Sequence, residues 1–490
     1  PAPAPAPALE AAAAAASGDD SRILSLSDAA LAAATSDQKI AMMKTLIADA
    51  NRTNGPRGDD YWQKERCRDG VVRILKTAPD AGSFDRMYYR IDPSNLGSAL
   101  GDVGAIDALL ARHQAETRPG DWAGLGRYVR TVSGAERTTG NFVEFLVDGP
   151  SAIGPGLAAI ESAKSTIHVE VFELQGDDIG RAFAAALEER LAHGVKVRLM
   201  VDEHGSDAEH DQAVADILDG LRRAGAEVRI VEPPLDLSHL DHRKVMVIDG
   251  QTAFTGGMNV GRDYQVDWHD QQTFVVGPAV ADLQKAFLER WTEAGGRVPA
   301  SELPELFPKP LIDKDGSAVR VVGHAGGAED ENIKAMYLRA FLTAQASIRI
   351  ENPYFVDPDV VSGLIRAARR GVKVQVILPE DNDVAIVQRG SRAYYPDLLK
   401  AGVEIYEYQG RMAHDKVCVI DGRWTTAGSS NLDARSLRDN DELNLAIDDP
   451  RVAAYVDAQL FAPDLKRSKR ILSYSPTWRE RLDRWLSGQL

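Results

Sequence analysis

The chain of 490 residues has two cysteines, Cys67 and Cys418, too few for a disulfide framework. No stretch approaches the ~18 consecutive apolar residues that would suggest a membrane-spanning helix. Positive charge is in deficit: 57 Lys and Arg stand against 73 Asp and Glu, a net charge of −16. An acidic chain gains nothing from the counterion release that drives nucleic-acid binding, which disfavours nucleic acid as a partner but does not exclude a local basic groove. The start carries no charged leader region or cleavage site, as expected of a mature N-terminus after a removed signal or of a trimmed chain. The chain starts PAPAPAPALEAAAAAASGDDS, whose first 20 residues read as a Pro/Ala-rich flexible segment. That start, without an anchor, favours a peripheral membrane, envelope or secreted location over a cytoplasmic one. What remains is a globular composition, 44% hydrophobic and 27% charged, enough for two or three domains.

What the chain does contain is a duplication. HRKVMVID beginning at His242 returns as HDKVCVID beginning at His414. Each copy reads His-x-Lys-x4-Asp, giving His242, Lys244 and Asp249, then His414, Lys416 and Asp421. Each continues into a small-residue turn ending in Asn: Gly256-Gly257-Met258-Asn259 and Gly428-Ser429-Ser430-Asn431. Eleven residues past each Asn comes a carboxylate, Asp270 or Glu442, and the paired positions keep one offset of 172 residues. Upstream, STIHVEVFEL, GVKVRLMVD and LRRAGAEVRIV precede the first motif, as ASIRIENPYF, GVKVQVILP and LLKAGVEIYEY precede the second. Both halves predict strand, helix, strand, helix, strand, motif strand, with strands apolar enough for burial on both faces. The helices between them should stop at Gly194 and Gly371. A repeat this long is a duplicated domain, read as two α/β sandwich halves packed about a pseudo-two-fold axis.

Two His, two Lys and two Asn brought together suit attack on a phosphodiester. Lys244, Lys416, Asn259 and Asn431 would surround the non-bridging oxygens with positive charge and donors. One imidazole then attacks phosphorus while the other protonates the departing alcohol. The two-residue spacing of His and Lys puts both on one face of a strand. A nucleophilic imidazole needs a carboxylate on its other nitrogen; Asp270 and Glu442, each 28 residues beyond its His, are the candidates. Asp249 and Asp421 follow four apolar residues and precede Gly, so a turn or supporting contact stands level with a catalytic role; Gly257 and Ser429 belong with them as supporting positions. Zinc also binds His and Asp clusters, but an ammonium inside the motif repels a dication, so no metal and no cofactor is expected.

The paired motif resembles the phospholipase D superfamily. WHDQQTFVVGPAV at 268–280, ENPYFVDPD at 351–359 and GSSNLDARSLRDNDELNLAI at 428–447 resemble bacterial cardiolipin synthases in particular. The resemblance runs from about residue 140 to the C-terminus. It implies metal-independent, two-step transfer through a phosphohistidine; between the nearly symmetric halves, His242 is taken as the nucleophile by a slight preference. In the synthase reaction one phosphatidylglycerol gives its phosphatidyl group to another and releases glycerol; with water as acceptor the same intermediate yields phosphatidic acid. A phospholipase D hydrolase, including a secreted membrane-targeting effector, is therefore the alternative, and a nucleic-acid phosphodiesterase the next.

The remaining features are less chemical. Residues 21–118 read as a helical N-terminal domain with turns at Asn54-Gly55-Pro56 and Pro79–Gly82, residues 119–310 as the first half and 311–490 as the second. The helical domain is a docking or packing module, or else a targeting module. From Lys466 to Arg484 a basic tail interleaves Trp478, Leu482, Trp485 and Leu486, which suits either an anionic bilayer or a packed last helix. An anionic phospholipid and its membrane are the expected partners; the oligomeric state stays open. Arg262, Tyr354 and Arg435 could line a headgroup site, while His239 and His269, lacking repeat partners, read as bystanders.

Overall fold

The computed structural model describes residues 6–17, 19–52, 58–79, 83–84, 87–88, 100, 103–115, 117–233, 239–324 and 331–487. By compactness the chain divides into a helical unit, Pro1–Gly134 with Ala328–Thr343, and an α/β unit, Ala135–Gly327 with Ala344–Leu490. The Pro/Ala-rich start departs from the flexible segment expected of it: Ala6–Ser17 is a helix with Ala11 and Ala14 fully buried. Alanine is the strongest helix former, and past Pro7 nothing breaks the run. In the same unit, Ser36–Arg52 and Gly58–Leu75 bury Met42, Met43, Leu46, Val71, Ile74 and Leu75. The expected turn at 54–56 and residues 80–82 of the second turn lie outside the described residues.

In the α/β unit the duplication is visible strand by strand. In the first half Thr166–Val171 pairs parallel with Lys196–Asp202, which pairs parallel with Glu227–Val231. On its other edge Thr166–Val171 meets the motif strand Val245–Ile248, followed by Thr252–Gly256, Gln271–Val276 and Thr138–Val147, all antiparallel. The second half repeats the order with Ser347–Glu351, Lys373–Pro379 and Glu404–Tyr408, then Val417–Ile420, Trp424–Gly428, Glu442–Asp448 and Ser317–His324. Thr138–Val147 and Ser317–His324 hydrogen-bond to one another, so the halves share a 15-stranded sheet. The extra strand is Ser468–Ile471, which closes the edge beyond Glu404–Tyr408.

The halves also meet through their faces. Val245, Val247 and Val275 of the first share one buried cluster with Val417, Val419, Leu443 and Leu445 of the second. The flanking helices Asp178–Ala192 and Pro358–Arg369 are capped by Asp177 and Asp357 and end before Gly194 (φ 84°) and Gly371 (φ 94°). There the left-handed backbone needed to leave a helix costs glycine least. Among the described residues no helix is long and apolar enough to cross a membrane.

Candidate active site

Each motif histidine sits on extended chain just ahead of its strand, which begins only at Val245 or Val417. Its backbone N–H is held by the opposite half: His242 donates to the Asp441 carbonyl at 3.0 Å, His414 to the His269 carbonyl at 2.6 Å. Those acceptors immediately precede Glu442 and Asp270. The side chains cross in the same way, His242 Nδ1 lying 2.9 Å from Glu442 Oε1 and His414 Nδ1 2.7 Å from Asp270 Oδ2. The spacing of 28 residues had assigned each carboxylate to the histidine of its own half, and this assignment is corrected. Strand pairing carries Asp270 and Glu442 across the seam between the halves.

Burial sets the electrostatics. It pushes the His242 imidazole down to about 4, helped by Lys244 and opposed by Glu442. His414 is lowered by burial and by Lys416 against the pull of Asp270. Both imidazoles are therefore held toward the neutral form, each with Nδ1 facing a carboxylate, and Lys416 Nζ lies 2.9 Å from both ring nitrogens of His414. Burial also lowers Lys244 to about 7 and Lys416 to about 8, although Glu442 and Asp270 both favour their charge. Each ammonium folds back on its own motif, Lys244 Nζ to the His242 carbonyl at 2.6 Å and Lys416 Nζ to the His414 carbonyl at 2.5 Å. Two buried lysines short of countercharge form a receptor for an anion, because a bound phosphodiester would restore the charge that burial removes.

The carboxylates are supported unequally. Burial disfavours the Glu442 charge, but His242, Lys244 and the Ser429 hydroxyl outweigh it and hold its pKa below the usual range. At the matching place, a Cβ on Gly257 would lie 2.2 Å from Asp270 Oδ1, so the shorter carboxylate needs glycine beneath it. Asn259 accepts the Glu173 N–H at 3.1 Å. Asn431 is buried and its Oδ1 meets no partner.

Asp249 and Asp421 do not join the histidines. Asp249 accepts backbone N–H groups of Lys164, Ser165 and Thr166 at 2.8–3.0 Å; Asp421 accepts those of Gln345, Ala346 and Ser347 at 2.7–2.9 Å. Both lie at φ 52° in the hairpin after the motif strand and pin it to the start of the neighbouring strand. Of the weaker candidates, Arg262 is half-exposed, 3.5 Å from Asp178. Tyr354 donates its hydroxyl to Asp383 at 2.7 Å, and Arg435 lies near the buried Asp433. Arg262 is thus engaged with Asp178, whereas the Asp383 that holds Tyr354 also acts on the charge of His414 and Lys416.

Side chains that sequence reasoning passed over pack on the imidazoles. The Phe172 ring stands edge-on to His242 at 4.9 Å, with Lys244 Nζ 5.0 Å from its centre. Trp268 and Tyr264 lie 4.8 and 5.6 Å from His414. Trp268, two residues before Asp270, could have been read from that adjacency; Phe172 has no aromatic counterpart in the other half and carried no signal. A cavity of about 350 Å³ runs from the site into the first half, lined by Leu157, Val171, Phe183 and Met258 with Lys244 and Asn259 on its wall.

A duplicated α/β sandwich with His-x-Lys-x4-Asp pairs meeting at its seam defines a phospholipase D superfamily enzyme. Within it, the family model described as "Cardiolipin synthase, PLD-like domain" matches residues 157–291 and 337–462, and the chain belongs to that family. It is 32% identical over 335 residues to cardiolipin synthase A of Pseudomonas syringae pv. syringae (strain B728a), covering 66% of this chain and 68% of that one. It is 35% identical over 315 residues to cardiolipin synthase of Geobacillus kaustophilus (strain HTA426), covering 61% of each. The phosphatidylserine synthase structure from Haemophilus influenzae Rd KW20 shares the fold, with a TM-score of 0.55 at 16% identity over 71% of this chain and 95% of that one.

Proposed function

We propose that the chain is a phosphatidyltransferase working through a phosphohistidine, with phosphatidylglycerol as donor and a second phosphatidylglycerol as acceptor. The observation that carries this is the pair of crossed histidine–carboxylate contacts with two buried lysines beside them. His242 Nε2 attacks phosphorus and the bond to the glycerol oxygen breaks, His414 supplying the proton to that oxygen. His414 then takes the proton of the incoming hydroxyl, whose oxygen attacks phosphorus as the bond to His242 breaks. Glu442 and Asp270 hold the two rings and stabilise whichever becomes cationic. His414 gains its proton when the anion binds, since negative charge favours imidazolium.

The apolar cavity beside Lys244 and Asn259 favours a lipid over a nucleic acid, because a nucleic-acid backbone has no hydrocarbon to place there. The tail supports a peripheral stance. Although Asp483 pairs with Arg389 and Arg484 with Asp397, Leu472, Trp478 and Leu482 are exposed among Lys469, Arg479 and Arg481. Such a mixture favours an anionic bilayer surface. The test is incubation with phosphatidylglycerol vesicles and mass spectrometry of the lipids. Cardiolipin with free glycerol is expected. Phosphatidic acid alone would replace transfer by hydrolysis, and no lipid product would refute a phospholipid substrate.

A further inference from the structure

Behind His414 and Asp270 the second half holds a buried acidic cluster that its first-half counterpart does not. Glu170 and Glu351 are equivalent, each paired in register with the first residue of its motif strand, Val245 or Val417. Around Glu170 the chain supplies its own cations. Arg290 Nε lies 3.1 Å from Asp241 and 3.0 Å from Asp441; Arg243 lies 3.9 Å from Glu170 and 3.6 Å from Asp441. In the second half the position of Arg243 is taken by Asp415, and that of Asp441 by His269. Glu351, Asp415 and Asp464 are each at most 1% exposed, and His269 is 2% exposed. Both oxygens of Glu351 and both of Asp415 have no hydrogen-bond partner, while His269 Nε2 lies 3.2 Å from Asp464 Oδ2 in an ion-pair contact. With Asp148 added there are four carboxylates, and among the described residues the basic side chains within ion-pair distance of them are Arg411 and His269.

We propose that Glu351, Asp415, Asp464 and His269 Nε2 bind one divalent cation of the oxygen-preferring type that also accepts an imidazole, Mn2+ being the model. Ligand atoms of His269, Glu351 and Asp464 lie within 4.8 Å of one another, the separation found across one ion with bonds of ~2.0–2.4 Å. Asp415 Oδ2 lies 3.6 Å from the same imidazole nitrogen. The ring is already set for coordination. His269 Nδ1 bonds Asp148 Oδ1 at 2.7 Å, Arg411 holds that carboxylate, and Tyr408 stacks on the ring at 4.8 Å. A carboxylate on the far nitrogen is the usual support of a metal-bound histidine. A cleft of about 560 Å³ lined by Asp148, His269 and Asp464 gives access from solvent. The ion would be structural: His269 belongs to the first half and the carboxylates to the second, so it would clamp the seam that presents His414. Protons are its competitors, for burial pushes Glu351 and Asp415 well above the usual carboxylate range.

The test uses the full chain carrying H210A, which removes a ligand from an exposed Glu203, Asp207 and His210 group. After chelation and dialysis, Mn2+ binding is followed by electron paramagnetic resonance and the Tm by calorimetry. One Mn2+ per chain is expected, with the Tm rising by about 3 °C at a hundredfold excess over Kd. E351Q should weaken binding at least tenfold. D415R, which restores the first-half arrangement, should abolish binding while keeping the Tm insensitive to chelator. No stoichiometric binding by the H210A chain, with an unchanged Tm, would overturn the site and leave the carboxylates protonated. Binding and Tm are read without lipid turnover, so this outcome is independent of the phosphatidyl-transfer reading.

Discussion

Replacing Asp421 should cost stability and spare chemistry, although it is the last letter of a catalytic motif. Its carboxylate accepts three backbone N–H groups, from Gln345, Ala346 and Ser347, and its own backbone is left-handed at φ 52°. Hydrogen bonds to a charged acceptor contribute ~1.5–3 kcal/mol each when buried, but these N–H groups lie near solvent and regain water, so ~1 kcal/mol each is the better figure. An alanine at positive φ adds ~1 kcal/mol of strain, giving about 4 kcal/mol for D421A. Asparagine keeps one acceptor oxygen and tolerates the conformation, so D421N should cost about 2 kcal/mol. At ~1–1.4 °C per kcal/mol for a unit of this size the alanine variant should melt roughly 5 °C lower. Calorimetry checks this, with kcat measured well below the lower Tm, where it should stay within about threefold of the parent. Two results would refute the reasoning: an unchanged Tm for D421A, or a folded D421A that loses activity as severely as H414A.

Other outcomes follow from the same geometry. H242A and H414A should each lower kcat by about 10⁴ or more, and rapid quenching with lipid radiolabelled at phosphorus should trap the phosphatidyl group on His242 alone. E442Q should mimic a triad carboxylate-to-amide change, losing ~10²–10⁴ in kcat with little change in KM. The lysines must be cationic to hold the substrate. Their pKa values are lowered to about 7 and 8, so kcat/KM should be full below that range and fall as pH rises through it. A profile flat from pH 6 to 9 would contradict their role. Reversing Lys469, Arg479 and Arg481 to glutamate should weaken binding to anionic vesicles by several kcal/mol, at ~1 kcal/mol per lost cation. Unchanged partition of the folded variant would remove the tail from the membrane.

Much of the fold was legible because duplication wrote it twice. Two in-register copies of an apolar strand pattern, each with its glycine-ended helices, predict the same half-sheet, and both appear. The members of the site were legible for the same reason, since His242, Lys244 and Glu442 keep step with His414, Lys416 and Asp270. Their partners were not. Distance along the chain suggested that Asp270 serves His242, whereas strand pairing across the seam delivers it to His414. His269 looked like a bystander because its repeat position holds Asp441, a change of charge whose meaning depends on neighbours 82 to 195 residues away, from Glu351 to Asp464. The Pro/Ala start was misread through its prolines, when its alanines decide the conformation from Ala6 onward.

The crossed contacts have a consequence for recombination. A half carrying His242 has the wrong carboxylate for its own imidazole, so neither half expressed alone contains a complete general acid or nucleophile. The heritable unit of activity is a diagonal: His242 with Glu442 and Ser429, and His414 with Asp270 and Gly257. Chimeras between relatives should therefore work when they exchange along that diagonal and fail when they exchange whole halves whose carboxylates differ in length.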